Sequence, residues 1–229
     1  MSLASNLKQL SNAIGVSGDE RAVREIVLRA IEDHVDEVRV DTLGNVLAIK
    51  KARGRSKLRV MLDAHTDEIG LMIVGANEDG SLQFRPVGGV DDRILPGKVV
   101  LIGPDHIPGV IGLPPIHLSR RVGEMGVKKF DALAIDIGAS SKDQALAAAG
   151  IGQTAAFNTQ YRSFGRLASG KAFDDRAGCA VLIEILQQPR VSVDLLVVFS
   201  VQEEVGLRGA QVAAYSFEPD AAIAIDATP

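Results

Sequence analysis

The stretch Asp63-Ala64-His65-Thr66-Asp67 carries an imidazole and a carboxylate two residues apart, immediately after the apolar run LRVML. In extended chain that spacing puts the side chains of His65 and Asp67 on one side. One ring nitrogen of the histidine can then ligate a metal while the other donates to the carboxylate, which fixes the tautomer and the ring orientation. Further carboxylates stand at comparable places: Asp174 in GKAFDDRAG, Glu203 and Glu204 in VVFSVQEEVGLRGA, and Asp226 after AAIAI. Each alone has an ordinary explanation. His65 could be an exposed histidine, Asp174 a helix N-cap, the glutamates the start of a solvated loop, and Asp226 a turn initiator. Taken together, an imidazole and several carboxylates without a thiolate suit Zn, Co or Mn, and paired sites of that kind serve hydrolysis.

Such a set works only if separate elements end at one place, and the pattern provides for that. LRVML leads into His65, a strand over Val193 to Val201 leads into Glu203 and Glu204, and a strand over Ala221 to Ile225 leads into Asp226. All therefore fall at carboxyl ends of expected strands, the edge where open α/β sheets place their ligands. Upstream, Leu3, Leu7, Leu10 and Ile14 fall at helical spacing, and Ser17-Gly18-Asp19-Glu20 reads as a capping box for a second helix with the stripe Val23, Ile26, Val27, Ala30 and Ile31. EVRVD and NVLAIK, joined through a Leu-Gly-Asn turn, read as strands. From about Ile69 to Gln160 short strands alternate with Gly, Pro and Asp turns, with one helix at Ser141 to Ala148, which predicts a small β-barrel. Strand–helix alternation returns from Gly165, with helices expected near Asp175 to Gln188 and Leu207 to Tyr215. The expected organisation is an α/β domain built from residues 1–66 and 163–229, interrupted by a β-barrel over 67–162.

Bulk properties narrow the function classes. With 29 acidic and 25 basic residues the formal charge is −4, and basic residues cluster no further than the pairs Arg120-Arg121 and Lys128-Lys129, which argues against a nucleic-acid partner. Apolar runs such as Leu195 to Phe199 are too short to span a bilayer, and the opening MSLASNLKQL is not a signal peptide. The lone Cys179, between Gly178 and Ala180 in an apolar stretch, reads as helix packing, and a cytoplasmic location is expected. The chain has no tryptophan, so nothing in it resembles a sugar platform.

The segments DAHTDEIGLMI, GKAFDDRAGCA, QEEVGLRGA and AIAIDATP, in that order, resemble the metal-site motifs of the M42 metallo-aminopeptidases, and the likeness extends to the inserted barrel and its exit DIGASSKDQA. The resemblance implies a central mixed sheet flanked by helices, as in zinc peptidases, and removal of N-terminal residues from peptides by a metal-activated water. It also implies two divalent ions, Zn or Co, and a homo-oligomer. By position, His65 and Asp226 would bind one metal, Asp174 would bridge, Glu204 would bind the other, Glu203 would be the general base and Asp67 would support His65. Family members continue beyond the position of Pro229 and supply a further histidine ligand there. His34, His106 and His117 do not obviously replace it, although His117 could border the substrate cleft. The expectation is therefore one tight metal per chain and weak hydrolysis of aminoacyl substrates, or else a non-catalytic homologue acting as an assembly or binding subunit.

Overall fold

Along the chain α1 (Leu3–Asn12) and α2 (Arg21–Ile31) precede β1 (Glu37–Val40), β2 (Val46–Lys50) and β3 (Arg59–His65) in the computed structural model. Next come β4 (Gly70–Ala76), β5 (Leu82–Val87), β6 (Val99–Ile102), β7 (Ile107–Gly112), β8 (Ala134–Asp136), α3 (Lys142–Ala148) and β9 (Thr154–Phe157). The hairpin β10 (Arg162–Phe164) and β11 (Leu167–Ser169) follows, and then α4 (Phe173–Gln187), β12 (Asp194–Ser200), α5 (Arg208–Phe217) and β13 (Ala221–Ala224). The structure describes residues 2–55, 58–113 and 127–228, so His117 lies outside the described residues. Two compact units form, one from Met1–Glu68 with Thr159–Pro229, the other from Ile69–Asn158. No described helix is long and apolar enough to cross a membrane.

The first unit is a five-stranded mixed sheet in the order β1-β2-β12-β3-β13, with β3 parallel to both β12 and β13. Alternation along β12 explains its place in the middle. Leu195, Val197 and Phe199 join the core with Val23, Val27 and Ile31 of α2 and Leu182, Ile183 and Leu186 of α4, whereas Leu196 and Val198 meet Ala213 and Phe217 of α5 on the other face. A strand buried on both faces reads as the continuous apolar run seen here. Lys50, buried at the end of β2, donates to the carbonyls of Leu186 and Gln188, 2.5 Å away in each case, so a cation closes the C-terminus of α4.

The second unit is a closed barrel in the order β4-β5-β8-β7-β6-β9, with a register shift between Ile73 and Gly75. Leu71, Ile73, Leu82, Phe84, Ile111 and Ile135 point inward. Closure leaves no free sheet edge. Ser141 caps α3 by accepting from the Gln144 amide at 3.3 Å.

Two local expectations fail for instructive reasons. The capping box at Ser17–Glu20 does not form: α2 starts with Glu20 at its N-cap and no side-chain cap bond. Ser17 Oγ donates instead to Asp67 Oδ2 at 2.6 Å, and Glu20 accepts from the amides of Gly18 and Gln202. A hydrogen bond to a buried ionised carboxylate is about twice as strong as a neutral one, which outweighs a helix cap. In α1 the helix stops at Asn12, short of Ile14, and buries Asn6, Leu10 and Ser11. Arg176 and Lys171 take the carbonyls of Leu10 and Ala13, which a continuing helix would have used.

Ile183 is fully buried between α4 and the sheet, and Leu167 in the β10–β11 hairpin is 74% exposed. Ile183→Ala should therefore cost about 2–5 kcal/mol through lost burial and a cavity. Leu167→Ala should stay within about 0.5 kcal/mol. Urea denaturation of both variants checks the difference.

Candidate metal centre

The parallel register of the sheet brings three strand ends to one edge. Ser200 pairs with His65 and Ala224 with Asp63, so the residues after β12 and β13 emerge beside the end of β3. Behind that edge the first turn of α4 contributes Asp174 and Asp175, both with non-helical backbone angles, joined by a cis peptide bond. No side-chain cap bond forms at the start of α4, so Asp174 is not acting as an N-cap. Two glycines permit the close approach. A Cβ on Gly178 would run into the Asp175 carboxylate, whose Oδ1 accepts the Gly178 amide at 3.0 Å, and one on Gly209 would meet Asn45 Oδ1 and the Val201 backbone.

His65 is the centre of the constellation. Its Nε2 lies 3.0 Å from Asp174 Oδ1, 3.8 Å from Glu203 Oε2 and 3.9 Å from Asp226 Oδ1. Its Nδ1 faces Asp67, 3.2 Å from the carbonyl oxygen and 3.4 Å from Oδ1. Among the described residues two overlapping groups could hold a metal ion, His65 with Glu203 and Glu204, and His65 with Asp174 and Asp226, their ligand atoms within 4.8 Å of one another. The structure thus brings His65, Asp67, Asp174, Glu203, Glu204 and Asp226 to one place. Asp226 also accepts its neighbour's amide, Ala227 N to Oδ1 at 2.7 Å, so turn initiation and proximity to His65 coexist.

Asp67 is fully buried and accepts from Ser17 Oγ at 2.6 Å, the Glu203 amide at 3.0 Å and the Glu204 amide at 3.1 Å. Burial alone would raise its pKa, but the bonds from His65, Ser17 and the Glu203 amide hold it below the usual carboxylate range. Burial likewise pulls His65 down, yet the bond and charge of Asp67, the charge of Asp175 and the bond to Asp174 outweigh it and hold the imidazole up at about 10. The other acids move the opposite way. Burial lifts Asp175 and Glu204 to about 7 and Asp63 to about 6, and it raises Glu203 with help from the charges of Asp226, Asp67 and Asp174. At an effective dielectric near 20, two carboxylates 4 Å apart repel by about 4 kcal/mol. A cluster of this kind is a donor set with surplus negative charge, which fits a divalent cation held by nitrogen and oxygen.

Sequence reasoning missed several supporting residues. Asp175 Oδ2 accepts the His65 amide at 3.2 Å, and Asp63 Oδ2 accepts from Ser200 Oγ at 3.2 Å. Beneath them Glu68 Oε1 accepts from Lys171 Nζ at 2.6 Å, Gly15 N at 3.0 Å and Arg176 Nη2 at 3.4 Å, all buried. The available signal was that Glu68, Lys171 and Arg176 are charged residues standing within the same motifs as the candidate ligands. Cys179 is buried in α4 with its thiol 3.1 Å from the His65 carbonyl, and burial pushes its pKa up, in keeping with a packing role. Beside the acids, an open groove of about 460 Å3 runs between α5 and β13, lined by Met61, Leu207, Ala210, Ile223 and Ile225.

A family model described as M42 glutamyl aminopeptidase matches residues 44–229. A lysyl aminopeptidase of Pyrococcus furiosus is 35% identical over 229 residues, covering 97% of this chain and 65% of that protein. The Pyrococcus horikoshii TET1 peptidase, described as able to assemble into a tetrahedron or a large octahedral shell, superposes with a TM-score of 0.89 at 37% identity, over 98% of this chain and 68% of that one. A Thermotoga maritima structure described as an endoglucanase superposes at 0.83 with 41% identity, over 97% and 65%. This chain spans about 65% of the length of the curated relatives it matches. The family match across most of the sequence, with relatives aligned over nearly all of it, places the chain in the M42 peptidase family.

Proposed function

We propose that the chain is a metal-dependent aminopeptidase that removes N-terminal residues from peptides. The observation that carries this reading is the convergence of His65, Asp174, Glu203, Glu204 and Asp226 at the carboxyl edge of three parallel strands, within reach of one another. His65 and Asp226 would hold one divalent ion, Zn or Co, Asp174 would be shared, and Glu204 would hold a second. When bound, such ions supply Lewis acidity and make water acidic enough to attack at neutral pH. Asp67 keeps the His65 ring oriented through Nδ1. Glu203, half-buried with a raised pKa, takes the proton shed by the attacking water and returns it to the nitrogen of the leaving amine. The TET1 likeness supports a homo-oligomer, and the lone buried cysteine fits a cytoplasmic location.

Both ligand groups contain His65, so one imidazole serves the two of them among the described residues. The exhaustively dialysed chain should therefore retain about one equivalent of zinc by elemental analysis, falling to near zero in His65→Ala. Two retained equivalents would contradict the expectation that only the His65 site is tight. Weak turnover at one equivalent should rise with excess metal.

Glu203→Gln should lower kcat on aminoacyl-nitroanilides by about 10²–10⁴-fold while leaving metal content unchanged. A wild-type chain that holds metal without turnover would favour the non-catalytic binding subunit. Hydrolysis of a soluble β-glucan, the activity that the description of the Thermotoga relative suggests, would overturn the peptidase reading.

A further inference from the structure

We propose that Ser17, in the turn between α1 and α2, is a positioning residue of the metal centre: its hydroxyl sets the orientation of Asp67 and, through it, of His65 and the Glu203–Glu204 loop. The inference rests on the metal-centre reading above. Asp67 divides its acceptors between two sides. Oδ1 takes the Glu203 amide at 3.0 Å and faces His65 Nδ1 at 3.4 Å, while Oδ2 takes the Glu204 amide at 3.1 Å and the Ser17 hydroxyl at 2.6 Å. Ser17 makes the shortest of these contacts, and among them its hydroxyl alone comes from outside the strand-end motifs, 50 residues earlier in the chain.

The turn that carries Ser17 is itself fixed. Val16 forms a parallel bridge with Glu68, the Glu68 amide donates to the Gly15 carbonyl at 2.9 Å, and the Gly15 amide donates to Glu68 Oε1 at 3.0 Å. Position 15 must be glycine for this approach, because a Cβ there would lie 2.8 Å from Arg176 Nη2 and 2.7 Å from Val23 Cγ2. On the far side, Glu20 Oε1 accepts the Gln202 amide at 3.3 Å, one residue before Glu203. The serine is thus presented by a rigid loop, and it is buried, at 7% exposure. Without the hydroxyl, Oδ2 keeps only the Glu204 amide, and the carboxylate, having lost its shortest hydrogen bond, is held less firmly against Nδ1.

Groups that orient a metal ligand from one bond away typically change metal affinity by about 10–100-fold when removed, and Ser17 acts one bond further out. The test is titration of the metal-free chain with Co2+, followed by visible absorption. Ser17→Ala should bind about tenfold more weakly than wild type, with an altered absorption band. Ser17→Thr, which keeps the hydroxyl, should match wild type. Ser11→Ala, which removes another buried hydroxyl, one that donates to the Lys171 carbonyl at 2.7 Å, should lower the thermal midpoint without changing Co2+ affinity. If Ser17→Ala does not fold, Ser17→Cys, similar in size but a weak donor, carries the same comparison. Wild-type affinity and spectrum in Ser17→Ala, a threonine variant as weak as alanine, or equal weakening in Ser11→Ala would each overturn the role of Ser17. A wild-type chain that binds no Co2+ would overturn the metal-centre reading, and Ser17's role with it.

Discussion

Asp67 is a fully buried carboxylate that receives a hydroxyl and two backbone amides and faces the Nδ1 edge of an imidazole, and the geometry of the site hangs from it. A buried charge of this kind is tolerable only when its lone pairs are satisfied. Satisfying them draws in three separated parts of the chain: the α1–α2 turn, the end of β3 and the loop after β12. The surrounding acids accept fewer hydrogen bonds, and burial dominates their ionisation. Burial lifts Asp63 to about 6 and Asp175 and Glu204 to about 7, so at neutral pH the last two are only partly ionised.

A second buried network lies just beneath. Glu68 meets Lys171 and Arg176, whose remaining donors go to the carbonyls of Leu10, Ala13 and Gly15. These residues adjoin the site in sequence: Glu68 follows Asp67, and Lys171 and Arg176 flank Asp174 and Asp175. Two cations against one carboxylate also leave positive charge below a cluster of acids, which lowers the cost of keeping those acids close. Burial holds the Lys171 pKa down, a sign of how costly this arrangement is without Glu68.

Much of the fold was legible because local patterns dominate it. The apolar run of β12, the alternation in β5 and the turn glycines of the barrel announce their elements directly, and the strand-end placement of His65, Glu203, Glu204 and Asp226 followed from them. What could not be read depends on distance in sequence. Ser17 and Glu20 look like a helix cap because the carboxylate that captures Ser17 is 50 residues away. Asp175 looks like a first-turn helix residue because its bond to the His65 amide spans 110 residues. The end of α1 at Asn12 depends on cations from the β11–α4 region, invisible to helical periodicity.

The central claim is that His65 and the gathered carboxylates hold a divalent ion. Diffraction from zinc-loaded crystals, recorded on both sides of the zinc absorption edge, tests it most directly. The account predicts an anomalous peak against His65 Nε2 and the carboxylates of Asp174 and Asp226. Zinc found only elsewhere on the chain, with no peak at His65, would contradict it.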